Sequence, residues 1–166
     1  MGTPTIVPRL MPTQDDTRRL MSDLFGRPVV VSREKTLVRQ PTDKFTAALF
    51  TKPDGAVGVV GLADLEFTAY AGAALTMFPT PSAERQIELG QVDEMVFENF
   101  REIMNVCASQ LNCASVVHVK LTQLLRLPKD KLPPEVEAAI KKPVARLDFT
   151  IQIPNYGKGR LSFLSM

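Results

Sequence analysis

The sequence has few of the residues from which metal sites and disulfide frameworks are built. It contains one histidine and two cysteines in 166 residues. Cys107 and Cys113 lie six positions apart, and two cysteines are too few for a secreted domain stapled by disulfides. His118 stands in an apolar run, where a lone histidine is more often packed than used as a ligand or base. We therefore expect no metal or cofactor site in this chain and a reducing, cytoplasmic setting.

The chain also lacks a marked charge excess and any long hydrophobic run. Twenty basic residues are set against 18 acidic ones, for a formal net charge of +2, and such a balance favours neither nucleic acid nor an anionic membrane. The longest weakly polar runs, "AVGVVGLA" and "AGAALTMF", are far shorter than the roughly 20 residues that cross a bilayer. The N-terminus has no apolar stretch typical of a signal peptide. We expect neither a nucleic acid nor a membrane as partner.

What the sequence does contain is the composition of a small globular protein. Hydrophobic residues make up 45% of the chain and charged residues 23%, values typical of one domain with a core. Prolines at positions 4, 8 and 12 indicate a loose lead-in over residues 1–12. We expect a single domain over residues 13–166.

The first half of that domain carries clear signals of local structure. "TQDDTRRLMSDLFG" predicts a helix that stops at Gly26, and the β-branched "RPVVVSREKTLVRQ" predicts a strand. "FTAALFT" and "AVGVVGL" flank a Pro-Asp-Gly turn and predict a hairpin. A helix follows in "ADLEFTAYAGAALTMF", and then a short one that Ser82 would cap and that would end at Gly90.

The second half begins with the strongest helical pattern in the chain, from Val92 to Leu111. "ASVVHVKLTQLLRL" predicts a strand, "PPEVEAAIKK" a short helix opened by proline, and "VARLDFTIQI" with "GRLSFLSM" a terminal hairpin. Antiparallel strand neighbours with grouped helices predict an α+β fold, in which a mostly antiparallel sheet has long helices packed on one face.

The long helix has two contrasting faces, since residues three and four apart share one side of a helix. The apolar face is formed by Val96, Phe97, Phe100, Ile103, Met104, Cys107 and Leu111. Opposite it, polar residues follow at steps of four, three and four: Glu98, Glu102, Asn105 and Ser109. Such a line is ordinarily just the solvated side of a helix. However, the like charges of Glu98 and Glu102 at i and i+4 slightly destabilise a helix. Asn105 is also unfavourable in the middle of a helix, so its presence there asks for another explanation.

These positions, together with Pro128, resemble the signature of the CheC/CheX/FliY family of chemotaxis phosphatases. That signature is Asp or Ser, three residues, Glu, two residues, Asn, 22 residues and Pro, and Glu98, Glu102, Asn105 and Pro128 stand at this spacing. Two departures are present. Glu98 replaces Asp or Ser, and Ser109 stands where CheX-like members tend to have glycine. The single copy of the motif is similar to CheX, whereas CheC and FliY carry two.

The resemblance implies a CheC/CheX-like fold and a phosphatase acting on the aspartyl phosphate of a CheY-type response regulator. Asn105 would orient the attacking water, and Glu102 would contact the regulator's lysine. Glu98 and Ser109 would be partner contacts. The chain would need no cofactor of its own, because Mg²⁺ is held by the regulator. A CheX-like homodimer is also expected, and the terminal hairpin would supply an edge strand for it.

Two other interpretations stay open at this point. In the first, the chain keeps the CheC/CheX fold but has lost activity, and it serves as an adaptor for a receiver domain or a flagellar switch component. Alternatively the motif is a coincidence on a small α+β ligand-binding or oligomerisation domain. Burial of Glu102 and Asn105 behind the protein's own loops would favour coincidence.

Overall fold

The computed structural model describes residues 11–35, 39–40, 42–113 and 115–166. Within them, six strands form one antiparallel sheet and five helices pack against it. The helices are α1 (Gln14–Phe25), α2 (Leu65–Leu75), α3 (Thr80–Leu89), α4 (Glu94–Asn112) and α5 (Pro134–Ile140). The strands are β1 (Val30–Arg33), β2 (Phe45–Thr51), β3 (Val57–Asp64), β4 (Lys120–Leu127), β5 (Ala145–Ile153) and β6 (Gly157–Ser165). Their order across the sheet is β1-β5-β6-β3-β2-β4.

The sheet buries apolar side chains on both of its faces. In β2, Ala48 and Phe50 belong to the larger cluster, to which α1, α2 and α4 contribute. Ala47 and Leu49 point the other way, into a smaller cluster closed by Val136 of α5. The predicted α+β fold with a mostly antiparallel sheet is confirmed. The short helix α5 differs from the expectation, because it covers part of the second face.

Both predicted hairpins form, and local turn chemistry accounts for them. The turn between β2 and β3 has Gly55 at φ 89°, and the Asp54 carboxylate accepts a hydrogen bond from the Ala56 N–H at 2.9 Å. The turn between β5 and β6 has Asn155 at φ 69°, a conformation that asparagine tolerates better than most residues. α1 ends at Gly26 in the left-handed conformation, as expected.

Three element boundaries differ from the expectations. α3 begins at Thr80 after Pro79, with Pro81 in its first turn, so Ser82 lies inside the helix and does not cap it. Proline at the first helical turn costs no hydrogen bond, which explains the earlier start.

The strand was expected from Ala114, which lies outside the described residues, and the observed strand begins at Lys120. His118 and Val116 before it are exposed, so the histidine is not a packed core residue. A strand was expected over residues 27–40, and the described residues of this segment form the shorter strand β1. Residues 36–38 of that segment, and residues 1–10 of the predicted lead-in, lie outside the described residues.

The position of the terminal hairpin corrects another expectation. β5 pairs with both β1 and β6, and β6 pairs with β3 as well, so the hairpin lies inside the sheet. Phe149, Ile151 and Phe163 of these strands are almost fully buried under the helices. The prediction that this hairpin offers an edge strand is wrong. In the described part of the sheet the edges are β1 and β4.

α4 lies beside α2 on the main helical face, and small residues set their separation. A Cβ atom on Gly72 of α2 would lie 2.5 Å from the Val96 carbonyl oxygen of α4, so glycine permits this close approach. The Asn99 side chain of α4 donates to the Gly72 carbonyl at 2.9 Å and to Thr76 Oγ1 at 2.9 Å. Among the residues described, no helix is long and apolar enough to cross a bilayer.

Candidate functional site

Helix α4 is fixed at both of its ends by side-chain hydrogen bonds. Asp93 caps the N-terminus by accepting from the Val96 N–H at 2.9 Å, and the Gln86 side chain exchanges two hydrogen bonds with Asp93. At the other end, the Asn112 amide donates to the Val119 carbonyl and accepts from the Val119 N–H, both at 2.8 Å. The residues between these anchors therefore have well-defined positions.

The apolar face of α4 is buried as its periodicity predicted. Phe100 meets Phe67 of α2 edge to face, with ring centroids 5.9 Å apart. Cys107 is buried and unpaired, and burial raises the pKa of its thiol to about 12. That thiol stays protonated at neutral pH and acts as an apolar core group.

The polar line of α4 lies on the side away from the core. Glu98, Glu102, Asn105 and Ser109 are all exposed, and at about 100° per residue their directions fall within one narrow sector of the helix. The structure thus brings together the four residues that the sequence singled out on this helix. A partner can reach them, and the burial that would have favoured coincidence is not observed.

Within this line, the carboxylates differ in what they contact. Arg101 donates to Glu98 from Nε at 3.1 Å, and its guanidinium lies 5.8 Å from the centre of the Phe97 ring. By contrast, the side chains of Glu102 and Asn105 make no hydrogen bond or ion pair with the residues that the structure describes. Glu102 and Asn105 are the charge and the amide that remain available to a partner.

A residue that sequence spacing could not have found extends this surface. Arg126 of β4 donates to the Glu94 carboxylate of α4 at 2.8 Å, and its guanidinium lies 4.1 Å from the Phe97 ring centre. Glu94 is one turn before Glu98 on the same side of the helix. Because Arg126 and Glu94 are 32 positions apart, only the fold brings them together.

Pro128, the last residue of the motif, is not part of the polar line. It follows β4 directly, is exposed, and forms part of the wall of a cavity of about 290 Å³ together with Val92 at the start of α4. The bond between Leu127 and Pro128 is cis. The motif therefore joins one helix face to the end of the neighbouring strand.

Comparisons with known proteins find this architecture among solved structures. Neither a protein-family model nor a curated protein matches the sequence. Among solved structures, FliY of Thermotoga maritima superposes with a TM-score of 0.57 at 14% identity, covering 89% of this chain and 81% of the other. The FliM–SpeE complex of H. pylori gives 0.62 at 10% identity, with 91% and 82% covered. The CheX–CheY–BeF₃–Mg²⁺ complex of Borrelia burgdorferi gives 0.52 at 12% identity, with 88% and 90% covered.

At these identities the likeness defines the fold. The solved structures that share this architecture are those of FliY, FliM and CheX proteins. This protein has the CheC/CheX/FliY fold, as the resemblance implied, and the FliM likeness shows that the same fold also occurs in FliM.

Proposed function

We propose that this protein is a CheX-like phosphatase that hydrolyses the aspartyl phosphate of a CheY-type response regulator. The observation that carries the proposal is that Glu102 and Asn105 are exposed on one side of an anchored helix and have no hydrogen-bond or ion-pair partner among the described residues. A chain of the same fold has been solved as a CheX–CheY complex with BeF₃ and Mg²⁺. That complex supports a phosphorylated receiver domain as the partner.

Asn105 would orient the attacking water in this reaction. Its amide oxygen accepts a hydrogen bond from the water, and its NH₂ group donates to a phosphoryl oxygen, with no change of ionisation. Water then attacks phosphorus, the bond to the aspartyl oxygen breaks, and aspartate and inorganic phosphate are released. Positioning of this kind lowers a barrier by several kcal/mol. Mg²⁺ on the regulator neutralises the phosphoryl charge.

Glu102 would dock on the regulator's lysine through a charge-assisted contact. The i, i+3 spacing places its carboxylate beside Asn105, so both enter the partner's site together. Glu98 is already paired with Arg101, and we assign it a lesser contact at the rim. Ser109 would contact the partner one turn beyond Asn105. We also propose a CheX-like homodimer, although the terminal hairpin does not form its interface.

The second candidate is a non-catalytic adaptor on the same fold. The FliM–SpeE likeness, at a TM-score of 0.62, favours it, as do the departures from the signature at Glu98 and Ser109. Such a protein would bind a receiver domain or a flagellar switch component without releasing phosphate.

The deciding experiment follows the loss of acyl phosphate from phosphorylated receiver domains of the same organism. We expect the wild type to accelerate that loss, and Asn105→Ala to remove the acceleration by about 10²-fold or more while receiver binding persists. Gln152→Ala is the matched control, since Gln152 is an exposed amide on β5 and should not matter. Glu102→Lys should weaken both binding and rate, and Glu98→Gln should weaken binding less.

Two outcomes would contradict these roles. Equal rates for wild type and Asn105→Ala would remove the water-positioning assignment. Binding of receivers with no acceleration for any of them would favour the adaptor.

A further inference from the structure

A cavity of about 290 Å³, which we call the basic pocket, lies beside the N-terminal end of α4. Phe45, Val92 and Leu127 are buried residues that form its floor. The pocket opens between the start of β2, the end of β4 and the loop before α4. A pocket of this size with an apolar floor can take one large side chain.

Three cations surround the pocket, and none of the described residues that line it is a carboxylate. Lys44 precedes β2, Arg126 is the next-to-last residue of β4, and Lys129 follows Pro128. Lys44 and Lys129 are exposed and make no ion pair with the described residues, whereas Arg126 is shared with Glu94. Asp130 stands nearby and accepts the Arg126 N–H at 2.8 Å. Among the described residues, the unpaired charges of the pocket lining are therefore the two lysines, and both are positive.

The basic pocket and the Asn105 site lie within the span of one protein interface. Asn105 follows Val92 by 13 positions, of which the part from Glu94 onward is about 17 Å of helix, so the two regions lie about 20 Å apart. Arg126 connects the two regions, because it bonds to Glu94 on the same side of α4 as Glu98. A standard interface covers about 800 Å² on each partner, a patch roughly 30 Å across. A partner centred on α4 would cover both.

We propose that the basic pocket is a second anchor for the phosphorylated receiver, a proposal that rests on the function proposed above. It would take an apolar side chain flanked by carboxylates, from a segment about 20 Å from the receiver's aspartyl phosphate. The acidic residues of α4 face the receiver's lysine at one end, and the cations of the pocket face its carboxylates at the other. This arrangement fixes the orientation of docking and selects among receivers.

The test is the Lys44→Gln, Lys129→Gln double variant. Binding of BeF₃⁻-activated receiver domains is measured by fluorescence anisotropy at about 50 and about 300 mM NaCl, where charge screening differs strongly. We expect about tenfold weaker binding at low salt and a shallower salt dependence. The single-turnover dephosphorylation rate at saturating protein should not change, because the lysines do not touch the reacting atoms.

Lys35→Gln with Lys158→Gln is the matched control. It changes the net charge equally, and both lysines are exposed, just after β1 and on β6. Unchanged binding in the pocket variant, or an equal loss in the control, would overturn the proposal. A rate lost in Asn105→Ala with no binding change in the pocket variant would retain the phosphatase and overturn the pocket. The opposite result is a receiver that the wild type binds but does not dephosphorylate, and that the pocket variant binds more weakly. That result would retain the pocket as an anchor and overturn the phosphatase.

Discussion

Asp64 is a partly buried acidic residue whose carboxylate accepts two hydrogen bonds. Its Oδ1 atom caps α2 by accepting from the Phe67 N–H at 2.8 Å, and it also accepts from the Arg160 N–H of β6 at 3.0 Å. Burial raises the pKa of Asp64 to about 6, against the opposing influence of those two donors. One side chain thus joins β3, α2 and β6.

The raised pKa makes stability depend on pH in a definite direction. The folded protein holds the Asp64 proton up to about pH 6, whereas the unfolded chain releases it near 3.8. The contribution of Asp64 to the free energy of unfolding is therefore fully present below pH 4. As pH rises from about 4 to about 6, this contribution to the free energy of unfolding is lost, and it amounts to about 3 kcal/mol.

Asp64→Asn should remove this dependence and keep both accepted hydrogen bonds, since asparagine is also a good N-cap. The measurement is urea unfolding of both proteins at several pH values between 4 and 7. A stability difference between them that does not change over that range would contradict the pKa shift.

For single residues of the candidate site, the sequence predicts which of them share a face of α4, but it does not predict their ion pairs. The spacing of Glu98, Glu102 and Asn105 is local, so helix geometry alone places them on one face. Arg126 binds Glu94, whereas Glu102 has no ion-pair partner in the described part of the chain, and this difference depends on which strand lies beside α4. No local pattern encodes that arrangement.

Among the elements, α4 supports the site through its buried face, and Phe100 is the residue to test. Phe100 is buried against Phe67, so Phe100→Ala leaves a cavity and should lower the free energy of unfolding by about 3–5 kcal/mol. Ser109→Ala, on the exposed face of the same helix, should change it by less than about 0.5 kcal/mol. Urea unfolding measures both. Similar losses in the two variants would mean that the faces of α4 are wrongly assigned.

The long apolar pattern of α4 predicted its bounds closely, whereas the short apolar run before β4 did not predict where that strand begins. The expected helix from Val92 to Leu111 is observed as Glu94–Asn112, because about five turns of apolar periodicity dominate every local alternative. Val116 and Val117 have the composition of a strand, yet they are exposed before β4. Residue type does not reveal whether a strand partner is available at that point.

At the scale of the whole molecule, pairing within hairpins was predictable and strand order was not. The turns at Pro53–Gly55 and Pro154–Tyr156 join strands that are adjacent in sequence. Placing β5 between β1 and β6 depends on contacts between residues more than a hundred positions apart, such as Val31 with Ile151. The terminal hairpin accordingly occupies the interior of the sheet, and any pairing between copies must use another strand.

The expected homodimer is therefore most compatible with β4, which has eight residues against four in β1 and, among the described strands, pairs with β2 alone. Thr122 and Gln123 at its centre are exposed and uncharged, so an antiparallel pair of β4 strands brings no like charges together at the middle. We expect light scattering to give twice 18.4 kDa, and Gln123→Lys to give a monomer through like-charge repulsion. Ser32→Lys, on β1, is the control that should remain dimeric. A monomeric wild type would exclude the dimer, and dissociation by Ser32→Lys alone would move the interface to β1.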